Sequence, residues 1–309
     1  GYEASIQETV SRNREAQLAA FFSQTASEQS GGSIYWEART LDSSGELLNE
    51  FRDHLTEWSE ISRNTLALVL NAGEGLLLGE FLRRISEENV YALVESSNEK
   101  KILGTLFKKT TSGIEAKIAV DSSGCPASFE IADLRFERIV GRNVLQKHAD
   151  KSGFLETLKP WISADGFFVF GETVPALGQR LSDLIPEELL EPDFRKKLKS
   201  AEKEIYLDEE NVRSSWTPST LRDELKGANW NIIRWQVKEY SIPTMIRTEQ
   251  IEQWFPSHQN SPHSSYRQRL SAYFSPEQLN NLRETFRNEV AGTVVEWHSV
   301  SLFMQLNQK

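Results

Sequence analysis

Cysteine is almost absent from this sequence: Cys125 is the single one in 309 residues, beside two methionines and five histidines. One cysteine forms no internal disulfide and supplies neither a zinc ribbon nor an iron–sulfur cluster; it suits a reducing, cytoplasmic setting. The histidines are His54, His148, His258, His263 and His298, and none has a ligand-type residue four positions on, so no metal site is expected. A run of eighteen apolar residues is missing, which excludes a membrane-spanning helix and a membrane partner. Basic residues are in deficit, 35 Lys and Arg against 45 Asp and Glu, for a net charge of −10. A surface this acidic repels a phosphate backbone and disfavours stand-alone nucleic-acid binding. A Gly-x-x-x-x-Gly-Lys-Ser/Thr phosphate loop is also lacking, so this stretch does not hydrolyse ATP in that manner. The chain starts with Gly1 rather than Met, and no secretory signal follows, so it reads as a piece of a longer polypeptide.

What is present is the composition of a folded core, with 39% hydrophobic and 26% charged residues. Residues 2–22 predict a polar helix with a thin stripe of Ile6, Val10, Ala16, Leu18 and Phe21, and Ser23 to Ser33 has linker composition. This divides the chain into an N-terminal helix and linker, 1–33, and a main domain, 34–309. Leu47, Leu48, Phe51, Leu55 and Trp58 repeat at helical spacing over 45–59. Strand and helix signals then alternate. Thr65 to Leu70 and Val90 to Val94 are apolar runs of strand length, each followed by a helical pattern, over Leu76–Ile85 and Asn98–Lys109. Glu115–Val120, Phe136–Val140 and Phe167–Phe170 predict three further strands, with a helix near Phe154–Leu158. Such alternation predicts an α/β fold with a parallel sheet and right-handed crossovers.

Beyond Glu172 the pattern changes. Pro186–Leu207 is charged and helical, and Thr217-Pro218-Ser219-Thr220 opens a helix that Gly227 closes. Asn231–Tyr240 and Gly292–Leu302 are β-rich and flank an aromatic, helical insertion at about 244–290. Its Trp254, Phe255, Tyr266, Tyr273, Phe274 and Phe286 have the spacing of a small helical core. The basic run Arg195, Lys196, Lys197, Lys199 and Lys203 is interleaved with Asp193, Glu202 and Glu204, which favours a solvated amphipathic helix over a nucleic-acid patch.

The most informative stretch is Leu68-Val69-Leu70-Asn71-Ala72-Gly73-Glu74-Gly75, a buried strand running into a glycine turn ahead of a helix. Glycines there let the backbone approach a ligand closely, and Glu95 at the end of the second strand suits a carboxylate that accepts hydrogen bonds from a ribose. Phe136 to Leu145, Leu158-Lys159-Pro160 through Phe170, and Leu221 to Ile233 complete a pattern that resembles class I S-adenosylmethionine-dependent methyltransferases over roughly residues 35–240 and 294–302. The resemblance implies a three-layer Rossmann-like methyltransferase fold. Its seven-stranded sheet is mostly parallel, with an antiparallel last strand and a helical insertion between strands six and seven. It further implies S-adenosylmethionine as cofactor. Asn71, Ala72, Gly73, Glu74 and Gly75 lie around the amino-acid part, Glu95 at the ribose, Asp121 (or Asp133) near the adenine, and Asn143 at the floor beside the sulfonium. The chain departs from the family at Asn71, where an acid is usual, and at Leu77, where a third glycine is usual. It has no Asp-Pro-Pro-Tyr or Asn-Pro-Pro-Tyr element for amino-methylation of DNA bases. No catalytic side chain stands out, because methyl transfer is an in-line displacement in which positioning supplies most of the acceleration.

A second, shorter resemblance lies at the start. Gly1 to Ile6, continuing through Arg14-Glu15-Ala16-Gln17-Leu18, is similar to the end of the RarA (MgsA) recombination ATPases of the AAA+ class, some of which carry a methyltransferase-like extension there. That likeness implies an AAA+ ATPase region of the same chain as partner, DNA contact only through it, and a role in replication-associated recombination. Two alternatives remain open at this level. One is a degenerate, non-catalytic interaction module of such an ATPase. The other is a nicotinamide-dependent oxidoreductase, since Gly73, Gly75 and Gly79 also fit a dinucleotide-binding spacing. His148 is available in principle as a general base but reads more simply as a surface histidine. Cys125 precedes Pro126 in a loop with nothing to activate it.

Overall fold

In the computed structural model seven strands form one sheet. The structure describes residues 45–110, 117–121, 123, 126–129, 134–208, 211–256 and 265–308. The expected helix 2–22, the linker, Cys125, Asp133, His258 and His263 lie outside the described residues. The helix α1 (Gly45–Trp58) leads into β1 (Ala67–Leu70), α2 (Leu76–Arg84), β2 (Val90–Val94), α3 (Ser97–Thr110), β3 (Lys117–Val120) and β4 (Phe136–Arg142). Then follow α4 (Lys151–Leu158), β5 (Ile162–Thr173), α5 (Pro192–Leu207), α6 (Pro218–Gly227) and β6 (Trp230–Met245). Short helices α7 (Thr248–Trp254), α8 (Tyr266–Leu270) and α9 (Pro276–Thr285) precede the last strand, β7 (Val294–Gln308).

The strand order is β3-β2-β1-β4-β5-β7-β6. Pairing is parallel from β3 through β5, and β7 runs antiparallel to β5. An antiparallel last strand between the fifth and sixth is the expected arrangement. It removes the oxidoreductase reading, which needed a purely parallel six-stranded sheet. Between β1 and β4 the order of winding reverses, and in open α/β sheets such a switch point, at the carboxyl ends of the strands, is where ligands bind.

Every residue of β1 and β2 is buried, as continuous apolar runs require when helices cover both faces. Several strands outrun their sequence signal, β7 by six residues to Gln308. β5 starts at Ile162, five residues before the apolar run, because its register with β4 shifts between Phe136 and Arg138. That irregularity takes up Asp165-Gly166. β6 continues through Pro243 to Met245, and proline is tolerated there because β6 is the edge strand. The helix start at Thr217 is as expected, with Pro218 at the first turn and a Thr217–Thr220 capping box.

The chain divides into two compact units. The sheet unit (48–178, 206–240 and 298–309) packs Leu70, Phe168, Phe170, Leu302 and Met304 against Leu155, Leu158, Leu221 and Leu225. Phe51 of α1 seats on the sheet at Gly171, where an added Cβ would lie 2.9 Å from the Phe51 ring, and meets Phe303 at 5.0 Å. The second unit includes 179–205 and 241–297. In it Phe255 packs on Tyr266 and Phe286, and Trp254 on Phe286, at 5.5–5.6 Å between ring centres. The buried Glu202 accepts from Ser182 and from the Tyr266 hydroxyl. On α5, Arg195 pairs with Glu187, Lys199 with Asp183, and Lys197 lies over the Phe274 ring, so the basic run is largely answered within its own unit.

One backbone feature at the switch point is strained for anything but glycine. Gly75, the N-cap of α2, has φ 72°, a left-handed conformation that costs an L-residue about 1–2 kcal/mol. Gly75→Ala is therefore expected to lower stability by about that amount in urea titration while the sheet's circular dichroism stays intact.

Candidate functional site

The site grows from the carboxyl ends of β1, β2 and β4. After Leu70 the chain turns sharply because Asn71 adopts φ 51°, which asparagine tolerates better than most side chains. The Asn71 amide donates to the Arg142 carbonyl at 2.9 Å, tying the end of β1 to the end of β4. Ala72 to Glu74 make one 3-10 turn, Gly75 donates back to the Ala72 carbonyl at 2.8 Å, and α2 begins with no side-chain cap.

At the end of β2, Ser96 and Glu99 form a reciprocal cap on α3. Glu99 accepts from the N–H groups of Glu95 (2.8 Å) and Ser96 (3.2 Å), and its own N–H donates to the Ser96 hydroxyl. The cap brings the Glu99 carboxylate over the glycine turn: a Cβ at Gly73 would lie 2.8 Å from its carboxyl carbon. At the end of β3, the Asp121 N–H donates to the Val94 carbonyl, and its carboxylate accepts from the Ser123 N–H at 2.7 Å.

The segment after β4 supplies the cations. Arg142 pairs with Glu74 and stacks its guanidinium 5.0 Å from the Phe51 ring centre. Lys147 donates to the Asn71 side-chain oxygen at 2.7 Å and pairs with Glu95. A buried carboxylate holds this segment in place. Glu172 of β5, fully buried, accepts from the N–H groups of Val144, Leu145 and Gln146. Loss of hydration pushes its acid up to about 7, against the pull of those three donors and of Lys151. Burial in turn lowers the Lys151 ammonium, whose Nζ donates to the His148 carbonyl at 3.0 Å.

Asn71, Ala72, Glu74 and Gly75 line a cleft with Leu48, Phe51, Arg52 and Arg142, while Glu95 reaches the same strand ends only through Lys147 and is not in that lining. Leu77 lines the cleft beside Glu74 and Arg142. Its volume is about 20 Å³, room for a single water. Asn143 directly follows β4. With φ 53°, it donates to the Gly171 carbonyl and accepts from the Thr173 N–H at 2.8 Å, so its side chain braces β4 to β5. His148 is half-buried and stacked on Phe154 at 3.7 Å, and burial, with Lys147 and Lys151 nearby, lowers its pKa. Three residues escape a sequence reading: Lys147, Arg142 and Glu99. Glu99 had a readable signal, the Ser96-x-x-Glu99 spacing of a capping box. Lys147 and Arg142 had none, since only the fold sets them opposite Glu95 and Glu74.

Neither a protein-family model nor a curated protein sequence matches the chain. Solved structures do match in shape. A protein from Bacillus halodurans C-125 assigned as a methyltransferase superposes with a TM-score of 0.50 at 12% identity, covering 83% of this chain and 98% of its own. The YcgJ protein from Bacillus subtilis gives a TM-score of 0.51 at 13% identity over 84% of this chain and 99% of its own. A further neighbour, a SAM-dependent methyltransferase from Geobacter sulfurreducens in complex with S-adenosyl-L-homocysteine, gives 0.44 at 12% identity, covering 90% of this chain and all of its own. With the strand order above, the fold is the Rossmann-like methyltransferase type. Among the described residues no helix is long and apolar enough to cross a membrane.

Proposed function

We propose that this domain binds S-adenosylmethionine, or its demethylated product S-adenosylhomocysteine, at the carboxyl ends of β1, β2 and β4. The observation that carries the reading is the double contact of Lys147. One ammonium touches Asn71 at the end of β1 and Glu95 at the end of β2, which ties the glycine turn to the acid beyond β2 and supports reading them as one binding region.

The backbone suits the ligand better than the side chains do. The turn 71–75 is left bare by Gly73 and Gly75 and would take the amino-acid part, Glu95 the ribose hydroxyls, and Asp121 the adenine side. The cleft is closed by the ends of Lys147, Glu95 and Glu99, which are flexible. A partly exposed ion pair is worth on the order of 0–1 kcal/mol, while micromolar binding is worth about 8 kcal/mol, so the ligand outcompetes the closure. When bound, the cofactor supplies an electrophilic methyl group. The chain's contribution is to hold and orient it, and no residue is assigned as a proton acceptor. Calorimetric titration with S-adenosylhomocysteine is expected to show micromolar binding. Gly73→Arg, which drives a long side chain into Glu99 and the cleft, is expected to weaken it at least about a hundredfold. A folded wild-type protein that gives no heat at millimolar ligand would overturn the reading.

A second reading has its own support: a methyltransferase fold kept as a non-catalytic interaction module. Asn71 in place of an acid and Leu77 in place of glycine favour it. In either case we propose that the domain is cytoplasmic and belongs to an AAA+ ATPase of the RarA type, through which any DNA contact is made. That placement rests on the likeness of Gly1–Leu18 alone, and its check is the coding sequence ahead of Gly1.

A further inference from the structure

We infer that Lys147 is an internal competitor for the ribose anchor and sets the affinity of the cleft; this rests on the reading of the cleft as an adenosyl site. Glu95 follows β2 directly and is placed to accept from a ribose diol, and one of its two carboxylate oxygens is engaged by the Lys147 ammonium. The same ammonium donates to Asn71 at 2.7 Å, so it spans the mouth between the two strands instead of pointing to water. Its position is built in. Lys147 closes the 3-10 turn Leu145–Lys147, and that turn is held by the three N–H groups that Glu172 accepts.

A ribose diol that draws on both Glu95 oxygens competes with Lys147 for one of them. The sign of the effect is therefore unusual. A lysine at the rim of a nucleoside site would ordinarily be expected to help binding or leave it unchanged, whereas here its removal frees the anchor. Arg142 does not share this role, because it pairs with Glu74 on the glycine turn and leaves Glu95 untouched. Lys147 and Glu95 side chains are 24% and 45% exposed, so salt screens the pair and loosens the closure.

Isothermal titration with S-adenosylhomocysteine tests this on the wild type, Lys147→Met and Glu95→Ala, each first shown to be folded by circular dichroism. Methionine keeps most of the length of the side chain without the charge. Lys147→Met is expected to bind roughly three- to tenfold tighter than wild type. Added salt is expected to tighten wild-type binding but not that of Lys147→Met, and Glu95→Ala should abolish binding. Wild-type binding with Lys147→Met equal or weaker overturns the inference and leaves the adenosyl reading standing. No binding by either protein at millimolar ligand overturns the reading itself, and the inference with it.

Discussion

Replacing Glu172 by alanine is expected to lower the unfolding free energy by about 3–5 kcal/mol at pH 5.5. The carboxylate is fully buried and serves three backbone N–H groups, those of Val144, Leu145 and Gln146. Each buried N–H deprived of its acceptor costs about 1–3 kcal/mol, and water entering the space left by the side chain returns only part of that. The pH dependence distinguishes this from simple loss of packing. The Glu172 acid is raised from 4.5 to about 7 by desolvation. Between those values the folded protein holds a proton that the unfolded chain has released, so this group's contribution declines as pH rises through the window and is level above it. A displacement of that size corresponds to about 3 kcal/mol. Urea titrations at pH 5.5 and pH 8 should therefore show a gap between wild type and Glu172→Ala that narrows on the alkaline side. A gap that is constant or widens would show that folding does not raise this acid. Other groups drop out of that difference. His148, whose pKa is lowered by burial, acts with the opposite sign, adding stability as pH rises toward 6.5.

Phe51→Ala is expected to cost about 3–5 kcal/mol, the usual range for deleting a buried phenylalanine. The ring is fully buried, seats where Gly171 leaves room on β5, and meets Phe303 of β7 at 5.0 Å. It is also the apolar floor under Arg142, whose guanidinium lies 5.0 Å from its centre. The substitution therefore reaches the cleft: Arg142 loses a contact worth about 0.5–2 kcal/mol, and its hold on Glu74 in the glycine turn loosens. Denaturant titration reads the first effect, and the affinity for S-adenosylhomocysteine the second. A loss below about 1 kcal/mol, well under the range for a buried ring, would show that α1 does not anchor to the sheet through this side chain.

The two substitutions mark where the sequence was readable and where it was not. The burial of β1 and β2 was plain, because strands covered on both faces must be apolar at every position. The glycine turn and the Thr217-Pro218 helix start were plain for a similar reason: backbone conformation and capping depend on residues within one turn of each other. The early start of β5 was not readable, since the residues before Phe167 join the strand through a register irregularity that exists only once β4 lies beside it. The partner of the Asn143 side-chain oxygen, the Thr173 N–H thirty positions away in the chain, has no local signature. Glu172 carried no signal at all, because a lone glutamate in a strand looks the same whether it faces water or caps a buried turn.

By itself, then, the sequence determined the alternation of elements, the place of the glycine turn and the acid beyond β2, all of them short-range consequences of hydrophobic period and backbone preference. Only the tertiary structure decided what that turn faces. Lys147 meets Asn71 and Glu95 across separations of 76 and 52 residues. Which side chains converge at the carboxyl ends of parallel strands is set by strand order and register, and both come from packing the whole sheet rather than from any local pattern.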